Sequence, residues 1–301
     1  MKRMFDSNKS DFLNMTPKKM KESIELTNGR TICCEIECDK QSLVDGVSNV
    51  ELATSMSADI LLLASFDTNN PYIDGIPKDF LQPPVFINIK NFIGRPIGVN
   101  LIVTKEIEND SHSCQFFNLK NVERIVSEGA DIIFLIKRMS SGATTETVDN
   151  AVKAIYKRFG DDIMIICTTE AKDSPPREKI ILSNYLDTHE KYLQSGAMGI
   201  GVPLPGCKKG WDNDETKIII DKVHKNDGLL WLILTQSVEG ASINVIQNLA
   251  LTATKLGADV HRLDYAGLSG IADPLNIMEY SFTIRGKRHT FRRMAMSMMR
   301  N

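Results

Sequence analysis

Apolar residues along the chain fall into two alternating kinds of run. One kind recurs at three- and four-residue spacing with polar residues between, and the other is short and almost continuously apolar. The first pattern predicts helices laid on a core, and the second predicts strands buried on both faces. The strand-like runs begin near residues 31, 59, 96, 131, 162, 198, 229 and 259, so a strand and a helix recur every 28 to 37 residues. Helical runs cover 48–57, roughly 79–93, 118–129, 144–159, 177–195, 213–226, 242–256 and 274–284. Pro83 and Pro84 should start or kink the second of these. One phrase returns four times, as "ELATSMSADILLL" (51–63), "VERIVSEGADIIFL" (122–135), "YLQSGAMGIGV" (192–202) and "NLALTATKLGADVHRL" (248–263). In each, a Gly or Ser stops a helix and an apolar run of strand length follows.

Eight strands alternating with eight helices predict a closed (β/α)8 barrel, the TIM barrel. An open dinucleotide-binding sheet should carry G-x-G-x-x-G after its first strand, and "DKQSLVDGVSN" has no such pattern. Ahead of the barrel, Thr16 stands as an N-cap with Pro17 at the first helical position, so 16–26 reads as an extra helix plugging the N-terminal mouth. The expected organisation is one domain over 1–301, with a helical cap (1–30), the barrel (31–284) and a basic helical tail (285–301).

Composition adds exclusions. Across 301 residues, 42% are hydrophobic and 25% charged, which is ordinary for a chain with a sizeable core. A net charge of −2 gives no chain-wide attraction to nucleic acid or anionic membrane, so neither is expected as a partner. The start is charged, and no run reaches the roughly 18 apolar residues of a spanning helix, so a cytoplasmic protein is expected. Cys33, Cys34, Cys38, Cys114, Cys167 and Cys207 show no C-x-x-C spacing and read as packing residues.

Barrel chemistry sits where the strands end. The polar residues there are Glu35, Glu37 and Asp39 on strand one, Ser65 and Asp67 on strand two, Asn100 on strand three, and Lys137 and Arg138 on strand four. Thr168, Thr169 and Glu170 follow on strand five, Gln236 and Glu239 on strand seven, and Arg262, Asp264 and Tyr265 on strand eight. Glu35 and Glu37 are two apart and share a face, and a charged pair facing the helices would be buried without partners, so both should face the lumen. Glu35 reads either as a functional group or as half of an interior salt bridge. Glu37, Asp67, Lys137 and Asp264 are the catalytic candidates, with Glu37 and Asp67 also placed to hold Mg2+. Lys137 beside Arg138 favours anion pairing over a Schiff base. Small-residue loops running into helices offer free N–H groups to an anion, and barrels often hold phosphate after strands seven and eight. Gly240, Ser242, Gly267, Ser269 and Gly270 are the anion-binding candidates. In the tail, Arg285, Lys287, Arg288, His289, Arg292 and Arg293 crowd nine positions, while Phe291, Met294, Ala295 and Met298 repeat at helical spacing. That apolar face is expected to dock on a second copy of the chain.

The segments "GVSNVELATSMSADILLLASFDTNNP", "GRPIGVNL", "LTQSVEGAS", "HRLDYAGLSGIADPLNI" and "TIRGKRHTFRRMA" together resemble an uncharacterised bacterial (β/α)8-barrel family that often carries the label haloacid dehalogenase-like hydrolase. The dehalogenase pattern D-x-D-x-[TV] is met in letters by "DNDET" (212–216), but these residues read as the acidic first turn of a helix. The stretch "GVSNVELATSMSADILLLASFD" is also similar to the phosphoenolpyruvate mutase and isocitrate lyase superfamily, a resemblance that implies Mg2+ and small carboxylates; its D-x-D-x-G-Y-G stretch has no counterpart. The expected function is an enzyme acting on a small phosphorylated or carboxylated metabolite, as lyase, isomerase or hydrolase. The alternative is a non-catalytic oligomeric barrel that binds such a metabolite.

Overall fold

A closed ring of eight parallel strands forms the centre of the molecule, each strand bonded to the next and the last to the first. The computed structural model describes residues 1–105, 115–138, 140–168, 182–208, 211–235, 237–265 and 267–296. The strands are β1 (Thr31–Glu37), β2 (Ile60–Ala64), β3 (Ile97–Val103), β4 (Ile132–Lys137), β5 (Met164–Thr168), β6 (Gly199–Pro203), β7 (Leu229–Leu234) and β8 (Val260–Leu263). Helices α1 (Lys9–Leu13) and α2 (Pro17–Glu25) come first. The outer ring is α3 (Asn49–Ser55), α4 (Val85–Ile93), α5 (Leu119–Ser127), α6 (Thr145–Phe159), α7 (Leu182–Gln194), α8 (Asn213–Lys225), α9 (Ile243–Leu256) and α10 (Pro274–Met294). Every strand begins within two residues of its expected place. The second helix is shorter than expected: a 3-10 turn occupies Lys78–Leu81, and α4 starts only after Pro84, whose ring cannot sit inside a helix. No described helix is long and apolar enough to cross a membrane.

Strand side chains alternate between two cores. Those facing outward pack with the helices, and those facing inward, including Cys33, Leu62, Phe134, Ile166 and Trp231, fill the lumen. Met4, Phe12, Met20 and Ile24 join the lumen cluster, so the N-terminal segment closes one mouth as expected. Thr16 caps α2 by accepting the Lys19 N–H, with Pro17 at the first helical position.

The repeated phrase has a physical purpose beyond stopping helices. Its Asp stands just before β2, β4 and β8. In each case the carboxylate accepts the backbone N–H at the start of the preceding strand: Asp59 from Ile32 at 2.9 Å, Asp131 from Ile97 at 2.8 Å and Asp259 from Leu230 at 2.7 Å. Each Asp also pairs with a basic side chain from an outer element, namely Arg285 and Arg293, Lys90, and His224 in turn. The fourth copy has Met198 at this place and keeps only the backbone bond, to Ile165.

The Asp59 cluster is the most buried of the three. Arg293 Nε lies 2.8 Å from Asp59, Arg285 Nη2 bonds the same carboxylate, and all three side chains are sealed from solvent. Arg95 joins them, donating to the carbonyls of Ala58, Gly94 and Arg293. Burial, opposed by Asp59 and reinforced by Arg285, lowers the Arg293 pKa to about 10. This arrangement gives the basic tail a role inside the barrel floor. The last helix runs on past residue 284 to Met294, broken only at Gly286 (φ 73°). Its inward face carries Arg285, Thr290 and Arg293, while the apolar Phe291 is 53% exposed. Charge, not hydrophobic spacing, decided which side turned in. Met298 lies outside the described residues.

Candidate functional site

Strand parity brings Glu35, Asn100 and Arg262 together in the lumen near the C-terminal ends. Arg262 Nη2 reaches Glu35 at 3.0 Å and its Nε donates to Asp264 at 2.9 Å. The Asn100 amide donates to Glu35 Oε1 at 2.8 Å, and the Arg262 guanidinium lies 4.4 Å from the centre of the Phe134 ring. Burial works against the Arg262 charge, but Asp264 and Glu35 outweigh it and hold the pKa above its ordinary value. Glu35 is thus the interior salt-bridge member that the sequence allowed. Two buried atoms of this network have no hydrogen-bond partner, Arg262 Nη1 and Asn100 Oδ1.

Beside this network a narrow cleft opens between the ends of β1 to β4, lined by Glu35, Ala64, Ser65, Asn100, Ile102, Gln115, Ile136 and Arg138. Its empty volume is about 240 Å3 counted with its opening, and it has room for roughly one water molecule. Arg138 follows β4 with the parity of Phe134 and Ile136, which face the lumen. Its guanidinium makes no hydrogen bond or ion pair among the described residues, and its Nε is shielded from solvent. Lys137 has the opposite parity, with Ile133 and Leu135 of the outer core, and its N–H bonds the Thr168 hydroxyl. The cation reaching the cleft is therefore Arg138, not Lys137.

The other expected residues gather in part. Glu37 ends β1, nearly buried, and its N–H donates to the Gly270 carbonyl at 2.9 Å, which ties the loop after β8 to strand one. Gly270 has φ +75°, and a Cβ there would stand 2.7 Å from the Glu37 carbonyl oxygen, so the contact requires glycine. Gly267 and Ser269 also have positive φ, and the Ser269 carbonyl accepts from Asn49 at 2.6 Å. Asp264 belongs to the Arg262 network. Asp67 is half-buried after β2, and its carboxylate accepts the Asn69 N–H at 2.7 Å within its own loop. Among the described residues, no three His, Cys, Asp or Glu side chains converge to hold a metal.

The helix starts after β7 and β8 differ. Asp273 caps α10 by accepting from Leu275 and Asn276, which fills the donors expected to meet an anion there. Ser242 precedes α9 without a side-chain cap, next to the 3-10 turn Val238–Gly240. Asn276 joins the two loops by donating to the carbonyls of Glu239 and Ala241. Thr169, Glu170 and Gln236 lie outside the described residues. "DNDET" is a helix start: Asp212 caps α8 by accepting the Glu215 N–H at 2.8 Å, and no strand presents it.

Fold and site together define a (β/α)8-barrel protein with a polar cleft at the C-terminal ends of its strands. Over residues 5–300 the chain matches the family described as a domain of unknown function, DUF7916, and it belongs to that family. No curated protein matches it in sequence. In structure it is similar to the carboxyl transferase domain of Rhizobium etli pyruvate carboxylase, with a TM-score of 0.54 at 13% identity, covering 94% of this chain and 51% of that one. It is also similar to a Schiff-base-forming fructose-1,6-bisphosphate aldolase, with a TM-score of 0.52 at 11% identity, covering 86% of this chain and 97% of that one. The chain spans about half the length of the carboxyl transferase domain. These likenesses are of fold, and none brings dehalogenase chemistry.

Proposed function

We propose that the protein is an enzyme acting on a small anionic metabolite, carboxylated or phosphorylated, at the C-terminal mouth of the barrel. The observation that supports this is Arg138. A guanidinium beside a cleft with its Nε shielded and unpartnered lacks the acceptors it needs, and its planar fork suits a carboxylate or phosphate. The uncapped start of α9, with Gly240 and Ser242, is the place in this proposal for a phosphate on a longer ligand. Among lyase, isomerase and hydrolase, a Schiff-base lyase has least support, because no described strand residue facing the lumen is lysine.

A thermal-shift screen of phosphorylated sugars, 2-oxo acids and 2-hydroxy acids, with and without Mg2+, tests the proposal, since a ligand selective for the folded state raises the midpoint. At least one anion should stabilise the wild type and not Arg138→Met; equal shifts in both proteins would overturn the assignment. The non-catalytic reading draws on a different observation: Glu35, which lines the cleft, and the buried Asp264 are both bound by Arg262. Following the stabilising ligand by NMR over time separates the two readings, because only an enzyme converts it. Association of two copies through the exposed Phe291 side of α10 belongs to the same proposal.

A further inference from the structure

We propose that the cleft takes a small hydroxylated monocarboxylate, with Arg138 and Asn100 as the pair that determines its specificity; this rests on reading the cleft as an anion site. Asn100 is 4% exposed and lines the cleft. Its amide orientation is set from behind, because the nitrogen donates to Glu35 Oε1 while Glu35 Oε2 is held by Arg262. The oxygen is left as a buried acceptor with no donor. An anionic oxygen would be repelled there, so the ligand group that meets Asn100 must donate a hydrogen, as a hydroxyl does. Ser65, in the left-handed region at φ 52°, adds a second hydroxyl partner at the same wall.

Charge selects between carboxylate and phosphate. Glu35, Asp264, Arg262 and Arg138 sum to zero, so a monocarboxylate leaves one negative charge in this partly buried group and a phosphate dianion leaves two. The smaller excess is favoured where the dielectric is low. The cleft holds little more than a water molecule as it stands, and in this proposal Arg138, whose Nε has no hydrogen-bond partner, shifts to admit the ligand. Ile102 and Ile136 are then the apolar walls for a short carbon skeleton.

Dissociation constants of lactate, glycerate, pyruvate and inorganic phosphate, measured by ligand-observed NMR on the full chain, provide the test. In the wild type, lactate or glycerate should bind about tenfold or more tighter than pyruvate and phosphate, since pyruvate leaves the Asn100 acceptor unmet. Arg138→Met should weaken the hydroxy acids by a similar factor, and Asn100→Ser should bring lactate and pyruvate within twofold of each other. Should Asn100→Ser fail to fold, the wild-type ratio of lactate to pyruvate still decides. Pyruvate or phosphate binding equally well, and still through Arg138, overturns the hydroxy-acid inference and leaves the anion reading standing. Absence of any Arg138-dependent binding by these four anions overturns this inference, while the anion reading stands or falls on the wider thermal-shift screen.

Discussion

Replacing Asp59 by Asn should be among the most damaging single changes outside the apolar core. The carboxylate accepts from the Ile32 N–H and from Arg285 and forms an ion pair with Arg293, and both arginine side chains are 0% exposed. Without it, Arg95, Arg285 and Arg293 share one buried region with no counter-charge touching them, and breaking a buried pair this way costs about 3–5 kcal/mol. At ~2.1 cal/mol/K per residue, a chain of 301 residues has an unfolding entropy of ~0.6 kcal/mol/K, so the midpoint should fall by about 5–8 °C. The repeat supplies internal controls. Asp131→Asn leaves a single cation, Lys90, without its counter-charge, in a pair that is 8% and 7% exposed, and should cost less. Asp259→Asn affects His224, whose side chain is 41% exposed, and should cost under about 1 kcal/mol. Differential scanning calorimetry of the three variants gives the ranking. A shift below about 2 °C for Asp59→Asn, or an equal shift for Asp259→Asn, would refute the account of that cluster.

Stability should decline as the solution is acidified from pH 6.5 toward 4. Burial pushes His261 down to about 4 from 6.5, while its ring nitrogens meet Tyr280 and the Gly29 carbonyl, so in that window the unfolded chain takes a proton that the folded one refuses. The contribution is fully present above 6.5 and shrinks by about 2 kcal/mol on going to pH 5; denaturant titrations of His261→Gln should lose that part of the slope, and an unchanged slope contradicts the assignment. Gly270→Ala should destabilise by about 1–3 kcal/mol, because the new Cβ meets Glu37 at positive φ; a neutral result in urea melts would show that the loop can yield. Phe291→Asp should lower the molar mass seen by light scattering if two copies meet on α10; an unchanged oligomer rules that surface out.

The barrel was legible because each level of signal agreed. Apolar runs marked the strands, and Gly129, Gly196 and Gly257 marked helix ends that the structure confirms with positive φ. The lumen position of Glu35 also followed from spacing alone. What stayed hidden has one cause. In Ile132–Ile136 both faces are apolar, so no alternation indicates which of Lys137 and Arg138 looks inward. Likewise Arg293 turns into the protein because Asp59, 234 positions earlier, waits there, and local periodicity carries no record of such a partner. The Asp of the repeat was visible as a letter, but its bond across to the preceding strand is a tertiary fact.

The union of Asp59 with Arg285 and Arg293, together with the Arg293 bond to the Ser7 carbonyl, has a consequence for the order of folding. Asp59 and Arg285 stand 226 positions apart, and Ser7 and Arg293 stand 286 apart, so each contact closes a very long loop. Neighbouring strands close far shorter loops, so they should pair first and the floor of the ring should be sewn shut last.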